Sequence, residues 1–576
     1  MSLFYAQSSV CKDAEELTEL RQSAADFYRL NHVPEHLERA LNELFTRRPS
    51  DLHGYLAEFF SALSSPPRIS RVEGLEVLDS RGQPSILAQV YCIIRNHEKL
   101  VSSASVASYF GPKDSNSKDR AEQVSNALQW IQDLNQQLQD LSPEDQSQVD
   151  HILSGLYLSR LEELSESQPK PDDSTSTSLS NMADTPAPSN KKGKKGSAVK
   201  PPPPPEPPEL LLSGGLSVGA LSLSVARGGA QSRGVALYQH IAMLKSTQPP
   251  PQMHIPSLLI SVLSCGKASP GKLNLFEEVL LIPKPGLRAR QVMQTAQEVQ
   301  REMQRIVGSG SKAGVSVTFG ALLSDCGAPC LSAEKVEQPL DLLSEACSNL
   351  ELNLGAELFV GLSCATPNLY DHSKGKYEVS SGLLKTPDEV VDLLQALLLK
   401  YPSVVTVIDP LRREDVEQWK RLAASVSESC SLLSDITFRV QAPPPPGVKG
   451  HVLKHVNHVT ISDLIRVSTE QEGSVVLGPA YSEPSSDPAL PDLAVGLGLD
   501  FLKLGGLSGA ERTTRFNRLL AIEDELQREG CLVLKDKLLP PIFPQRPEQN
   551  PDPDQDTDQG PEQDLDQDQT PPSEFS

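Results

Sequence analysis

Hydrophobic and polar positions change their period three times along this chain. Near the front, Val33, Leu37, Leu41, Leu44 and Phe45 recur at helical spacing. Pro34 suits a first helical turn, where the N–H it lacks would be unpaired anyway. Arg47-Arg48-Pro49 breaks this helix, and Ser50 or Asp51 can cap the next. There Leu52, Leu56, Phe59, Phe60 and Leu63 form one apolar face before Pro66-Pro67 ends it. Two such short helices cannot bury their faces alone. From residue 68 alternating, strand-like runs lead into helices up to about residue 245. Beyond 250, short apolar runs at 258–263, 357–362 and 404–408 alternate with helical stretches at 289–306 and 388–399. That alternation predicts an α/β barrel, whose chemistry lies at the C-terminal ends of its strands.

Composition removes part of the length from the folded core. Of 576 residues 48 are proline and 38% are hydrophobic, so some segments cannot bury enough apolar surface to offset the entropy of ordering. Residues 165–208 and 541–576 have no hydrophobic periodicity, and both are expected to be disordered, the second as an acidic tail. The expected units are a helical module at 1–65, a second domain at 68–245 carrying that insertion, the barrel at 250–540 and the tail. A formal charge of −22 has the wrong sign for general attraction to nucleic acid. The sequence has neither the apolar core of a signal peptide at its start nor an apolar run of the roughly 18 residues that cross a bilayer, so no membrane partner and a cytoplasmic protein are expected. Nine scattered cysteines fit reduced core thiols. Cys326 and Cys330 are the one close pair and lack the second pair of a zinc site.

Several stretches carry a resemblance. Asp79-Ser80-Arg81-Gly82-Gln83-Pro84 is similar to the D-S-R-G-N-P turn of the enolase family, and Val235-Ala236-Leu237-Tyr238-Gln239-His240 to its V-P-L-Y-K-H. EEVLLIP at 277–283 and the segment 492–526 resemble Q-E-F-M-I-A-P and the family's closing helix, with Leu519, Leu520, Ile522 and Glu523 in N-Q-L-L-R-I-E-E-E-L. These matches keep one order along the chain. They imply an enolase-type (β/α)8 barrel in which two antiparallel strands interrupt the parallel set, capped by an N-terminal α+β domain. Within the family the sequence is nearest the divergent sperm-type branch. Residues 34–63 resemble an RIIa/Dpy-30 dimerisation-docking module, which implies a homodimer and an amphipathic partner helix docked on residues 14–64.

The same resemblance locates the chemistry and its losses. Enolases abstract a weakly acidic proton beside a carboxylate and offset the growing charge with magnesium. Of the three carboxylates that hold the tighter ion, the first falls on Ser363 of Gly361-Leu362-Ser363-Cys364-Ala365 and the second on Ile408, before Asp409-Pro410. The third survives as Asp435. Magnesium is therefore expected to bind weakly or not at all without substrate. Ser108 is the candidate for the loop serine of a second metal site. The proton-donating glutamate of G-D-E-G-G falls on Cys326, a second glutamate survives as Glu278, and the lysine base falls on either Lys454 or His455. Lys503 matches the substrate lysine. The phosphate-binding H-R-S falls on Ala480-Tyr481-Ser482, leaving only Ser482, and the loop histidine falls on Ala268 or Ser269.

The function implied is an impaired phosphopyruvate hydratase, converting 2-phosphoglycerate to phosphoenolpyruvate in glycolysis. The alternative is a non-catalytic scaffold in a glycolytic or flagellar assembly, with other glycolytic enzymes as partners. On that alternative Glu278, Asp435 and Lys503 persist as an ionic cluster in the barrel mouth.

Overall fold

The computed structural model describes residues 14–107, 117–167, 212–246, 250–309, 322–437, 442–454, 458–471, 473–479, 484 and 487–534. Of the segment expected to be disordered at 165–208, residues 165–167 instead end the helix Gln146–Ser167, while 168–208 and the tail at 541–576 lie outside the described residues, as do Ser108, His455, Tyr481 and Ser482.

Three helices open the chain: α1 (Ala14–Leu30), α2 (Val33–Arg47) and α3 (Leu52–Ala62). Helix α2 ends where Arg48 turns left-handed, with φ 47°, and Asp51 caps α3 by accepting from Gly54 N at 2.8 Å. The three helices pack on one another, yet Phe27, Leu37, Leu41, Phe45, Leu52 and Phe60 remain exposed.

Next come β1 (Arg68–Leu78), β2 (Pro84–Ile94) and β3 (His97–Ala104), an antiparallel meander. It is followed by α4 (Ser117–Leu138), α5 (Gln146–Ser167), α6 (Leu216–Arg233) and α7 (Leu237–Lys245). One face of the sheet packs on α4 and α6. Helix α6 is buried almost all round, which explains why its sequence shows little amphipathic contrast. Glycine lets it pass close to its neighbours: a Cβ on Gly229 would stand 2.7 Å from Pro143 O and 2.8 Å from His240 Nε2.

The rest of the chain builds the barrel. Strand β4 (Met253–His254) leads to β5 (Ser257–Ser264), β6 (Phe276–Pro283), α8 (Ala289–Ser309), α9 (Gln338–Asn349) and β7 (Leu358–Cys364). A small sheet of β8 (Tyr370–Asp371), β9 (Lys376–Ser380) and β10 (Leu383–Lys385) precedes α10 (Pro387–Lys400). Then follow β11 (Val404–Ile408), α11 (Val416–Val426), β12 (Ser431–Asp435), β13 (Val448–Lys454), α12 (Ile461–Glu470), β14 (Ser474–Gly478), α13 (Ala489–Gly496), β15 (Phe501–Gly505), α14 (Ala510–Arg528) and β16 (Leu532–Val533). Strands β5, β6, β7 and β11 to β15 close into an eight-stranded barrel. The sequence reading placed two antiparallel strands in it. Only β6 is reversed, pairing antiparallel with both β5 and β7 while every other junction is parallel. The helix-free connection from β5 to β6 at 265–275 lets the chain double back, whereas β7 is reached only after α8 and α9. Among the described residues no helix is long and apolar enough to cross a membrane.

The domain of β1–β3 and α4–α7 is tied to the barrel by polar contacts, among others. Arg227 on α6 grips Asp487 at 2.5 and 2.9 Å, and Asp487 also accepts from Ser105 N. Asp150 on α5 is buried and reaches the start of α12, accepting from Ser462 N at 2.9 Å and Ser462 Oγ at 2.7 Å. Beside it, Ser222 Oγ accepts from Ile461 N at 2.9 Å. Two N–H groups that a helix start leaves unpaired are thus satisfied from another domain.

Candidate functional site

Strand alternation builds the site in two layers. Leu259, Leu280, Phe359, Ile408, Leu433, Val452, Val476 and Phe501 belong to the apolar cluster that fills the barrel interior. Two residues further along their strands, on the same face, come Asp435 after Leu433, Lys454 after Val452, Gly478 after Val476 and Lys503 after Phe501. Ser261 follows Leu259 in the same way, and on the reversed strand Glu278 stands two before Leu280. A polar layer therefore lies directly on an apolar floor, which excludes water from below.

Within that layer the charges pair. Lys503 Nζ donates to Glu278 Oε1 at 2.7 Å, and Ser261 Oγ donates to Glu278 Oε2. Lys503 and Glu278 side chains are only 9% and 12% exposed, so the pair is held out of solvent. Burial pushes the Glu278 carboxyl up, but Lys503, Ser261 and Lys454 outweigh it and hold it below the ordinary value. Lys454 Nζ stands 2.7 Å from Asp435 Oδ2, while Thr437 N and Oγ1 donate to Asp435 Oδ1 at 3.0 and 2.6 Å. Burial raises Asp435 too, and Lys454 with Thr437 more than reverses it.

Asp409 belongs to the same cluster. Its φ of 48° turns it back over the end of β11, and its Oδ1 accepts from Asp435 N at 3.0 Å. Burial and the Asp435 charge beside it raise its carboxyl well above the usual range. Sequence reading used Asp409 only as a landmark, because alternation ends with the strand and does not report a left-handed turn. We expect Asp409→Asn, which keeps the accepting oxygen and tolerates this backbone, to be more stable than the parent at neutral pH. The sign follows from proton linkage. The folded parent binds a proton above the Asp pKa of the unfolded chain, so its stability falls as pH rises from about 4 through the raised value. Melting temperatures across pH should show the variant's advantage opening over that window and vanishing in acid.

Cys326 lies beside these groups. Its Sγ is 3.0 Å from Ser324 Oγ, and burial first, then the Glu278 charge, pushes the thiol up to about 12. It is a protonated thiol, not a reactive thiolate. Its loop is fixed by Gly506 N donating to Cys326 O at 2.7 Å, by Arg512 donating to Asp325 O, and by Arg81 Nη2 on Asp325 at 2.7 Å. Ser269 is buried and donates to Ser264 O at 3.2 Å. The cluster thus brings together Glu278, Lys503, Asp435, Lys454 and Cys326; Ser108, His455 and Ser482 fall outside the described residues.

Residues 252–537 match the family model for the enolase C-terminal TIM barrel domain. The chain is 41% identical over 550 residues to "Enolase 4" of Danio rerio, covering 91% of this chain and 94% of that protein. The chain belongs to the enolase family. It is also 37% identical over 576 residues to "Enolase 4" of Homo sapiens, covering 92% and 91%. With "Enolase" of Methanopyrus kandleri it shares 26% identity over 319 residues, 53% of this chain and 70% of the other.

Enolases use magnesium, and the donor set here can be tested against it. Ser363, opposite Glu278 in the β6–β7 register, is neutral. Ile408 is packed in the apolar floor at 3% exposure and offers no oxygen from its side chain. Of these three positions only Asp435 is a carboxylate, and both its oxygens already accept from protein donors. Magnesium needs near-octahedral oxygen ligands, and this set does not fit a resident ion.

Proposed function

We propose that this chain is a divergent enolase in which conversion of 2-phosphoglycerate to phosphoenolpyruvate is weak or lost, and in which the fold serves mainly as a structural component of a glycolytic or flagellar assembly. One observation carries the reading: Lys503 and Lys454 each pair with a carboxylate of the cluster. In an acting site one lysine must be free to accept a proton and the other to meet the substrate's charge. Losing one acid or base group costs about 10²- to 10⁴-fold, and here Cys326 stands where the acid is expected. A coupled assay for phosphoenolpyruvate, with Lys503→Ala as control, tests this. Parent and control should be alike within error; Lys503-dependent turnover at a rate typical of metabolic enzymes would sink the proposal.

The exposed apolar side chains of α1 to α3 favour the structural role, since a face of this kind on a soluble protein marks an interaction site. By their resemblance to a dimerisation-docking module these helices pair two copies of the chain and receive an amphipathic partner helix, with other glycolytic enzymes among the assembly. Leu56→Asp is expected to dissociate the pair in sedimentation and to leave the barrel's melting unchanged. A dimer that survives this change, or a barrel that unfolds with it, would remove the support.

A further inference from the structure

The barrel mouth balances its charge from within. Glu278 and Asp435 supply two negative charges, Lys503 and Lys454 two positive ones, and each carboxylate oxygen of Glu278 and Asp435 has a protein donor. Ile408, where the family resemblance places a metal carboxylate, pairs with Leu433 across the β11–β12 junction and belongs to the apolar floor. A divalent cation reaching Asp435 would have to displace the Lys454 ammonium and would find the other carboxyls of the layer committed, Glu278 to Lys503 and Ser261 and Asp409 Oδ1 to Asp435 N. Thr437 ties the arrangement together, donating to Asp435 while accepting from Lys454 N at 3.1 Å.

We propose that the Lys454 ammonium is the resident counter-ion of Asp435, a charge carried by the chain in place of a bound divalent metal, and that the folded protein excludes such metals from this position. Lys454 is then a charge-balancing residue, and Ile408 is compatible with the site because no ion needs a ligand there. The inference rests on the family reading of the mouth and deepens it, since it specifies how the site stays stable after the metal carboxylates have gone.

The test is metal response of the full chain. Melting temperature of the unmodified protein should not move between chelator and millimolar magnesium or manganese. Lys454→Met leaves Asp435 and Asp409 facing each other without a cation; its melting temperature should fall, and added manganese or magnesium should restore part of it, because a ligand of the native state stabilises by mass action. Adding Asp435→Asn to that variant should abolish the response. A Lys454→Met protein that melts without any metal response overturns the proposal. Should that variant fail to fold, free-manganese electron paramagnetic resonance on the unmodified chain decides. Signal unchanged by protein upholds the inference, and manganese bound by the parent but not by Asp435→Asn overturns it. Turnover that persists in chelator would count against the low-activity reading and leave this inference standing, so the two fail separately.

Discussion

Lys503→Met is expected to destabilise the protein by about 3–5 kcal/mol, the cost of leaving one partner of a buried ion pair uncompensated. Glu278 would keep Ser261 and lose the ammonium at 2.7 Å. The denaturant midpoint should drop with the slope unchanged, because the surface exposed on unfolding is the same. The pH dependence gives a sharper check. In the parent, Glu278 is held below its ordinary value of 4.5, so its stabilising contribution is present above that pH and is lost as pH falls through the lower folded value. In the variant, burial prevails and the carboxyl rises instead, so the deficit is greatest at neutral pH and shrinks in acid. Lys503→Met with Glu278→Gln should recover much of the loss. A neutral-pH cost under about 1 kcal/mol, as for exposed pairs, would mean that solvent reaches this pair.

Asp150→Ala should be nearly as costly, although Asp150 lies in a different domain from the barrel. Its carboxylate receives Gln146 Nε2 at 2.8 Å and Ser222 Oγ at 2.6 Å on one oxygen, and Ser462 N and Oγ on the other. Alanine removes the acceptor of Ser222 Oγ and of Ser462 N and Oγ, while Gln146 keeps Ser222 O at 3.0 Å; each buried donor left unpaired costs about 1–3 kcal/mol, and together, with partial relaxation, about 3 kcal/mol is expected. The same region is gripped a second time, since Tyr157 of α5 stacks on His458 with ring centroids 4.5 Å apart. Amide exchange should therefore accelerate first at the start of α12 and only later in β5 and β15. Uniform acceleration would show instead that Asp150 supports the fold as a whole.

Much of this was legible in the chain. The runs at 258–263, 357–362 and 404–408 fall on β5, β7 and β11, because a strand buried on both faces must be apolar at nearly every position. The helices read at 289–306 and 388–399 are there with their ends extended by a few residues. The reversal of β6 was not legible: FEEVLLIP is buried whichever way its neighbours run. Nor was the role of Asp150, which in sequence is one acidic residue in a polar helix and gains meaning only from α12, more than 300 residues later.

The candidate site divides in the same way. Sequence by itself determined which side chains stand at the strand ends, since a period of two carries Leu433, Val452 and Phe501 into the barrel and so commits Asp435, Lys454 and Lys503 to the layer above. The resemblance carried by the sequence also implies that Ser363, Ile408 and Cys326 stand where the family has carboxylates. Only the tertiary structure decided who meets whom: Lys503 with Glu278 across 225 positions of sequence, Lys454 with Asp435, and Asp409 turned back over both. The reason is that alternation is a local property of each strand, whereas the register and direction in which strands join are fixed by closing the whole barrel, and charges separated by that closure find their partners only once it is complete.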